Sequence, residues 1–233
     1  MVNGVTNTAT HSRPFRARGA YIQRCPQCRV PTVACICAFT PALDSKAAFW
    51  LLMHPYERHK PTNTGQLLVD TLPDVTMFDW FRTTPNTDLL SRMHSECYTP
   101  ILVFPDDMLM GNSVISETRL QDIVNPAFVL LDGTWQQARK IYRKSNYLHQ
   151  LPVVSIRSQL RSGYQLRRAQ NQGNLATAEV VIHLLAAMGE VQSAQLLADY
   201  FHVFNQCYIA GRNNHAPKVQ TPEMLRLLAY LRG

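Results

Sequence analysis

Five short apolar runs, each bounded by polar or turn-forming residues, predict β-strands in the first two thirds of the chain. They lie at residues 47–53, 75–78, 101–104, 127–131 and 151–156. Continuous apolar runs are typical of strands covered on both faces, as in a parallel sheet. Segments rich in helix-forming residues predict helices between them, at 66–72, 86–94 and 135–144. Strands that alternate with helices indicate an α/β fold with a mainly parallel sheet.

The last third of the chain is predicted to be helical. An apolar helix opens at Thr177, and a second helix spans 191–209 and ends at Gly211, because glycine often terminates a helix. A last helix begins at Thr221, with Pro222 at the first helical position, where proline is tolerated. Residues 105–125 are polar and lack a period, and we expect an irregular surface excursion there.

The predicted strand at 127–131 is followed at once by Asp132 and Gly133, and then by a helix. An acid is thus placed at the carboxyl end of a strand, the edge where open α/β sheets bind ligands. Asp132 is therefore a candidate functional residue. The alternative is that Asp132 only caps the helix that follows it.

Composition is typical of a globular protein, with 46% hydrophobic residues in a chain of 233. This is enough for one large domain, with or without a small appendage. No apolar run approaches the ~20 residues that span a bilayer, and the beginning of the chain lacks the apolar core of a signal peptide. We therefore expect a cytoplasmic protein without a membrane partner, with residues 1–20 as a flexible basic arm.

Positive charge is concentrated in two segments. Residues 1–43 contain five arginines and no acid, and residues 133–178 contain eight basic residues and no acid. Two acid-free basic segments suggest a polyanionic partner. A basic solvated surface without a ligand is the alternative.

Four of the six cysteines, Cys25, Cys28, Cys35 and Cys37, lie close together in the chain. Thiolates at this spacing can share one metal ion, and four of them complete a tetrahedral structural zinc site with no open position for catalysis. Disulfides are the competing interpretation, but they are rare in a cytosolic chain.

Two polar loops are further candidates for ligand binding. Residues 62–65 (Thr-Asn-Thr-Gly) precede a predicted helix, where hydroxyls and backbone N–H groups can bind a polar or anionic ligand, although capping alone explains these residue types. Residues 157–178 form a long loop with four arginines, a tyrosine for stacking and a glycine, a composition that suits RNA. Partial helical structure is the alternative for that loop.

These segments together resemble the DTW-domain family. The resemblance rests on five motifs in the family's order: the cysteine cluster, Lys-Pro-Thr-Asn-Thr-Gly at 60–65, Asp-Gly-Thr-Trp at 132–135, Ser-x-Tyr-x-Leu-Arg at 162–167 and Thr-Ala-Glu at 177–179. They cover roughly residues 15 to 210. Five motifs in order are specific, whereas one alone is weak.

The resemblance implies a fold related to the SPOUT RNA methyltransferases, with a C-terminal trefoil knot. It also implies that S-adenosylmethionine donates its 3-amino-3-carboxypropyl group to N3 of a uridine in the variable loop of tRNA, leaving methylthioadenosine. An RNA methyltransferase of the same fold is the nearest alternative. A non-enzymatic, zinc-containing RNA-binding protein is the alternative from another class.

The resemblance also suggests a division of roles. Residues 21–43 form a zinc module and residues 44–233 the catalytic domain, in a protein that we expect to be a monomer. Asp132 is the candidate general base, in competition with a structural role. The residues expected to contact S-adenosylmethionine are Thr64, Gly65, Leu131, Gly133, Thr134 and Trp135, although Trp135 can instead pack in the core. The residues expected to bind RNA are Arg139, Lys140, Arg161, Tyr164, Arg167 and Arg168.

Overall fold

A computed structural model of the chain describes residues 22–156, 175–217 and 219–233. Its centre is an all-parallel sheet of six strands in the order β2-β1-β5-β3-β6-β4. The strands are β1 (Ala48–Met53), β2 (Val75–Asp79), β3 (Thr99–Val103), β4 (Val114–Ile115), β5 (Pro126–Asp132) and β6 (Val153–Val154). The predicted α/β class and parallel sheet are therefore confirmed.

Six α-helices accompany the strands in the described part of the chain. They are α1 (Gly65–Thr71), α2 (Thr87–Met93), α3 (Trp135–Lys144), α4 (Thr177–Ala187), α5 (Val191–Arg212) and α6 (Pro222–Arg232). The sequence predicts the limits of α3, and Pro222 occupies the first turn of α6 as expected.

Two predictions about local structure need correction. Residues 105–125 lie mostly at the surface as expected, but they also contain the two-residue edge strand β4 and short 3-10 helices, because pairing with β6 orders part of a segment that has no period of its own. Gly211 lies inside α5 rather than terminating it. A Cβ atom at this position would lie 2.7 Å from the Cβ of Pro31, so glycine is needed there for close packing against the N-terminal segment.

Side chains of the central strands alternate between two hydrophobic cores, as the pleat requires. On one face, Phe49, Leu51 and Met53 of β1 are buried in the same core as side chains of α1, α4, α5 and α6. On the other face, Trp50 and Leu52 share a core with side chains of α2 and α3. The sheet is therefore covered on both sides, which explains its continuous apolar runs.

The adjacent strands β1 and β5 have connections that diverge. The chain leaves β1 through α1 toward β2 on one side, and leaves β5 through α3 toward β6 on the other. The two helices also cover opposite faces of the sheet. Such a switch point opens a crevice at the carboxyl ends of the two strands, where open α/β sheets bind ligands.

The cysteine-containing segment packs directly against the helical face. Val30, Ala34 and Ile36 are buried in the same core as β1. The guanidinium of Arg24 lies 5.2 Å from the centre of the Tyr208 ring in α5. The boundary between module and catalytic domain stays a prediction, and the arm predicted at residues 1–20 lies outside the described residues.

Candidate functional site

Asp132, the last residue of β5, lies at the switch point and is 5% exposed. One carboxylate oxygen accepts a hydrogen bond from the hydroxyl of Thr177 at the start of α4. The other oxygen accepts one from the side-chain amide of Asn63, at 2.7 Å. Burial of a carboxylate is tolerated where such donors replace water.

The amide of Asn63 is held in one orientation. Its oxygen accepts a hydrogen bond from the backbone N–H of Gly65 at 2.7 Å. Its nitrogen also donates to the carbonyl oxygen of Glu57, at 3.1 Å. Asn63 therefore presents a donor, and only a donor, toward Asp132.

Gly65 provides the space for this contact. A Cβ atom there would lie 2.9 Å from the Asn63 amide oxygen and 3.1 Å from an Asp132 carboxylate oxygen. Beside it, the buried hydroxyl of Thr64 accepts a hydrogen bond from the N–H of Ala178 at 3.3 Å. Three of the sequence motifs, at 60–65, 132–135 and 177–179, thus meet around one buried carboxylate.

The turn from β5 into α3 is built by Gly133 and Thr134. Gly133 has φ +150°, a backbone conformation that favours glycine. Thr134 is the N-cap of α3: its hydroxyl accepts from the N–H of Gln137, whose side chain accepts from the N–H of Thr134. The alternative that Asp132 caps this helix is therefore wrong, because Thr134 holds that position.

Glu57, which we did not single out in the sequence, is a second buried acid near this edge, 6% exposed. Its Oε1 accepts hydrogen bonds from Lys60 at 2.5 Å and from the side chain of Gln137 at 2.7 Å. It thereby ties the loop after β1 to the first turns of α3. The signal was slight, since the sequence shows only an acid three residues before a lysine in a polar loop.

The hydrophobic members of the predicted site line its wall. Trp135 is half-buried and stacks on Phe104, with ring centres 5.7 Å apart. Leu131 is also half-buried and packs against the same core. The packing alternative for Trp135 is therefore the one that the contacts favour.

Two of the predicted RNA-binding residues lie on an exposed basic face of α3. Arg139 and Lys140 are exposed, together with Arg143 and Lys144 on the next turn. Among the described residues, no carboxylate lies within ion-pair distance of these four. The other predicted RNA-binding residues lie outside the described residues; they are Arg161, Tyr164, Arg167 and Arg168.

The four clustered cysteines come together in space, with all sulfur atoms within 4.8 Å of one another. The Cys25 and Cys37 sulfurs are 3.6 Å apart, and those of Cys28 and Cys35 are 3.7 Å apart. Four ligands at a Zn–S distance of ~2.3 Å in a tetrahedron have sulfurs roughly 3.8 Å apart, so these residues fit a zinc ion.

The protonation of the thiols differs within the cluster. The backbone N–H of Cys28 lowers the pKa of Cys25 to about 7. Burial raises the pKa of Cys28 and that of Cys37 above the usual range. A bound cation would therefore displace protons from the more buried thiols.

Within the described ranges, no helix is both long and apolar enough to cross a membrane.

Comparison with known proteins identifies a family. The DTW domain matches residues 22–209. The chain is 30% identical to tRNA-uridine aminocarboxypropyltransferase 2 of Drosophila melanogaster, over 71% of this chain and 66% of that protein. Proteins of the same name from Macaca fascicularis and Mus musculus are 25% and 27% identical, over 74% and 66% of this chain.

The matches cover 59% of the macaque protein and 53% of the mouse protein, so the chain spans between about half and two thirds of the length of these relatives. No solved structure matches the chain.

Proposed function

Because the chain belongs to the DTW domain family, we propose that it transfers the 3-amino-3-carboxypropyl group of S-adenosylmethionine to N3 of a uridine in tRNA. The names of the relatives from fly, macaque and mouse support this activity and this substrate. The tRNA variable loop is the proposed location of the uridine. Methylthioadenosine is the second product.

The observation that carries the proposal is the position of Asp132. Its carboxylate is buried at the switch point between β1 and β5, where it joins Asn63 and Thr177 from two other motifs. A protein that only bound RNA through its basic surface would have no need to bury a carboxylate at a sheet edge that suits small ligands.

We propose that S-adenosylmethionine lies along this edge. The expected contacts are the backbone around Thr64 and Gly65, and the β5–α3 turn from Leu131 to Trp135. The Thr64 side chain is directed to Ala178, so its contribution would come from the backbone. Trp135, stacked on Phe104, would serve as a wall.

In the reaction, the uridine N3–H loses its proton, and N3 forms a bond to the methylene carbon next to the sulfonium. The bond from that carbon to sulfur breaks, and its electron pair stays on sulfur. We propose that Asp132 accepts the proton. Alignment of the two substrates supplies much of the remaining rate enhancement.

The variant Asp132→Asn tests the base. Its side-chain oxygen can accept from Asn63, and its amide group can donate to the Thr177 hydroxyl, so the hydrogen bonds are kept while the base is removed. A base at position 132 predicts that turnover falls by about 100-fold or more. Turnover close to that of the parent in the folded variant would assign Asp132 a structural role only.

We further propose that the fold is SPOUT-like with a C-terminal knot. In support, β6 lies beyond β3, yet the chain returns at Thr177 to contact Asp132 on β5. A C-terminal knot requires the chain to cross back over neighbouring strands in this way, so that its last segment can thread through a loop. Slow refolding that does not depend on proline isomerisation would support the knot.

The remaining parts of the proposal concern partners. The exposed arginine and lysine side chains of α3 would bind tRNA phosphates. The cysteine cluster would hold structural zinc. We also propose a monomeric, cytoplasmic enzyme, which sedimentation and fractionation would test.

The decisive experiment is mass spectrometry of nucleosides from tRNA incubated with the protein and labelled S-adenosylmethionine. We expect a uridine heavier by the aminocarboxypropyl group and release of methylthioadenosine. A methyl increment with S-adenosylhomocysteine would instead indicate a methyltransferase. Binding of tRNA without any increase in the mass of its nucleosides would indicate an RNA-binding protein without enzymatic activity.

A further inference from the structure

An exposed pair of stacked rings lies at the same sheet edge as Asp132. Met53, the last residue of β1, pairs with Asp132 across the sheet, and His54 follows it directly. The rings of His54 and Tyr56 stack with centres 5.2 Å apart and an angle of 16° between their planes. Tyr56 is 76% exposed. One face of this stack is therefore open to solvent beside the crevice.

A single exposed aromatic residue on a protein surface is common and has no meaning by itself. Here the backbone that carries the ring is restrained on both sides. The N–H of Glu57 donates to the carbonyl oxygen of His54 at 2.8 Å, and the buried Glu57 carboxylate binds Lys60 and Gln137. Tyr56 is thus held in place although its ring is left uncovered.

The surroundings of this ring are basic. The Glu57–Gln137 hydrogen bond places the loop next to the first turns of α3, whose exposed face carries Arg139 and Lys140. The loop itself contributes the exposed His59 and also Lys60, whose ammonium is paired with Glu57. An open aromatic face beside positive charges is the combination that binds unpaired nucleotides, by stacking and by phosphate contacts.

The proposed reaction requires such a nucleotide. N3 of uridine lies on the edge that forms base pairs, so the target base must be unpaired when it reacts. A base drawn out of its stack loses its neighbours, and stacking on an aromatic side chain compensates for that loss.

We propose that Tyr56, backed by His54, stacks on a nucleobase of the unpaired tRNA segment that contains the target uridine. This inference rests on the proposed function and adds a substrate-positioning residue to it. Tyr56 acts on the RNA and has no role in S-adenosylmethionine binding.

The test compares Tyr56→Ala with Tyr56→Phe, which keeps the ring. Val124→Ala is the matched control, because Val124 is 74% exposed and precedes β5 at the opposite edge of the sheet. Three quantities are measured for each variant: tRNA affinity by fluorescence anisotropy, kcat and KM for tRNA, and S-adenosylmethionine affinity by calorimetry.

We expect Tyr56→Ala to lower kcat/KM for tRNA and tRNA affinity by about tenfold or more, the usual effect of losing one base–aromatic stack. Tyr56→Phe and Val124→Ala should stay within about twofold of the parent. S-adenosylmethionine affinity and melting temperature should not change, because the Tyr56 ring is largely exposed.

A duplex RNA of matched length separates stacking from phosphate binding. Parent and Tyr56→Ala should bind it equally, because paired bases cannot stack on the ring. If Tyr56→Ala lost affinity equally for the duplex and for tRNA, or lost no affinity for tRNA, the inference would be overturned. This holds even if the parent transfers the aminocarboxypropyl group. If the parent binds tRNA without transfer, the proposed function fails, and the ratio of tRNA affinities still decides the role of Tyr56. A parent that binds no tRNA overturns both.

Discussion

The guanidinium of Arg29 donates a hydrogen bond to the backbone carbonyl oxygen of Arg58, at 2.6 Å. Arg29 follows Cys28 with φ 61°, a conformation that non-glycine residues rarely adopt. Arg58 in turn binds the carbonyl of Met77 and the carboxylate of Asp79 of β2, both at 3.0 Å. The cysteine cluster is thereby connected to the loop that leads to Asn63 and Gly65.

Removal of a metal ion bound at the four cysteines, as proposed above, should therefore loosen that loop. Chelation frees the turn that holds Arg29, and the loss of one hydrogen bond is worth about 1 kcal/mol. Hydrogen exchange of the amides at 57–65 should become roughly fivefold faster, whereas β3 amides should change little.

The variant Arg29→Gly isolates this contact. Glycine accepts the positive φ without strain, so the cluster should keep its metal while the bond to Arg58 is lost. The amides at 57–65 should exchange faster in metal-loaded Arg29→Gly as well. Unchanged exchange there would show that the loop does not depend on Arg29.

Thr177→Val should destabilise the fold by about 1–3 kcal/mol, because the buried carboxylate of Asp132 loses a donor and gains no water. Thr177→Ser keeps the hydroxyl and is the control. Urea denaturation measures both. If the free energy of unfolding were the same for Thr177→Val and Thr177→Ser, the hydroxyl would contribute nothing to stability.

Metal affinity should rise with pH. The thiols of Cys28 and Cys37 have pKa values raised by burial, so at pH 7 they carry protons that metal binding must displace. Release of at least two protons means a loss of roughly 100-fold or more in affinity per pH unit of acidification. Below pH 7 the dependence becomes steeper, because the pKa of Cys25 is about 7 and its thiolate is then protonated as well.

Calorimetry of zinc binding in buffers of different ionisation enthalpy counts these protons. Release of fewer than two protons per metal at pH 7 would contradict the assignment of Cys28 and Cys37 as protonated thiols.

Gly211→Ala should destabilise the protein although alanine favours helices by about 1 kcal/mol over glycine. The added Cβ would lie 2.7 Å from that of Pro31, and such overpacking costs about 1–3 kcal/mol. Thermal unfolding would report the change. In a Pro31→Gly background the same substitution should be neutral or stabilising, and equal effects in both backgrounds would exclude the clash.

Binding of tRNA should weaken steeply with salt. Loss of Arg139 and Lys140 together, each changed to Gln, should reduce the slope of log affinity against log salt by about 0.7–0.9 per lost phosphate contact. Arg232→Gln is the control, because Arg232 is exposed at the end of α6, which packs with the opposite face of the sheet. If the double variant had the same slope as the parent, Arg139 and Lys140 of α3 would not contact tRNA phosphates.

Local chemistry made much of this protein predictable. The strands of the sheet centre and the limits of α3 follow from apolar runs, caps and helix-forming residues, which act over a few neighbouring positions. The cysteine cluster was predictable for the same reason, since its ligands lie within one short segment. Pro222 at the start of α6 is a third case.

The site itself depended on contacts that are distant in the chain. Asn63 and Thr177 lie 69 and 45 residues from the carboxylate that they bind, and Gln137 lies 80 residues from Glu57. The role of Gly211 likewise depends on Pro31, far along the chain. No local periodicity encodes such pairs.

The central strands, the helices, the four clustered cysteines and the acid at the end of β5 were predictable, because each depends on neighbouring residues. Long-range packing specifies which strand lies beside β5, and hence which loops meet at Asp132. Strand order is set by burial of both sheet faces together, a property of the whole chain. The same packing brings Asn63 and Thr177 to Asp132, whereas Thr134 caps α3 through Gln137, its close neighbour in the chain.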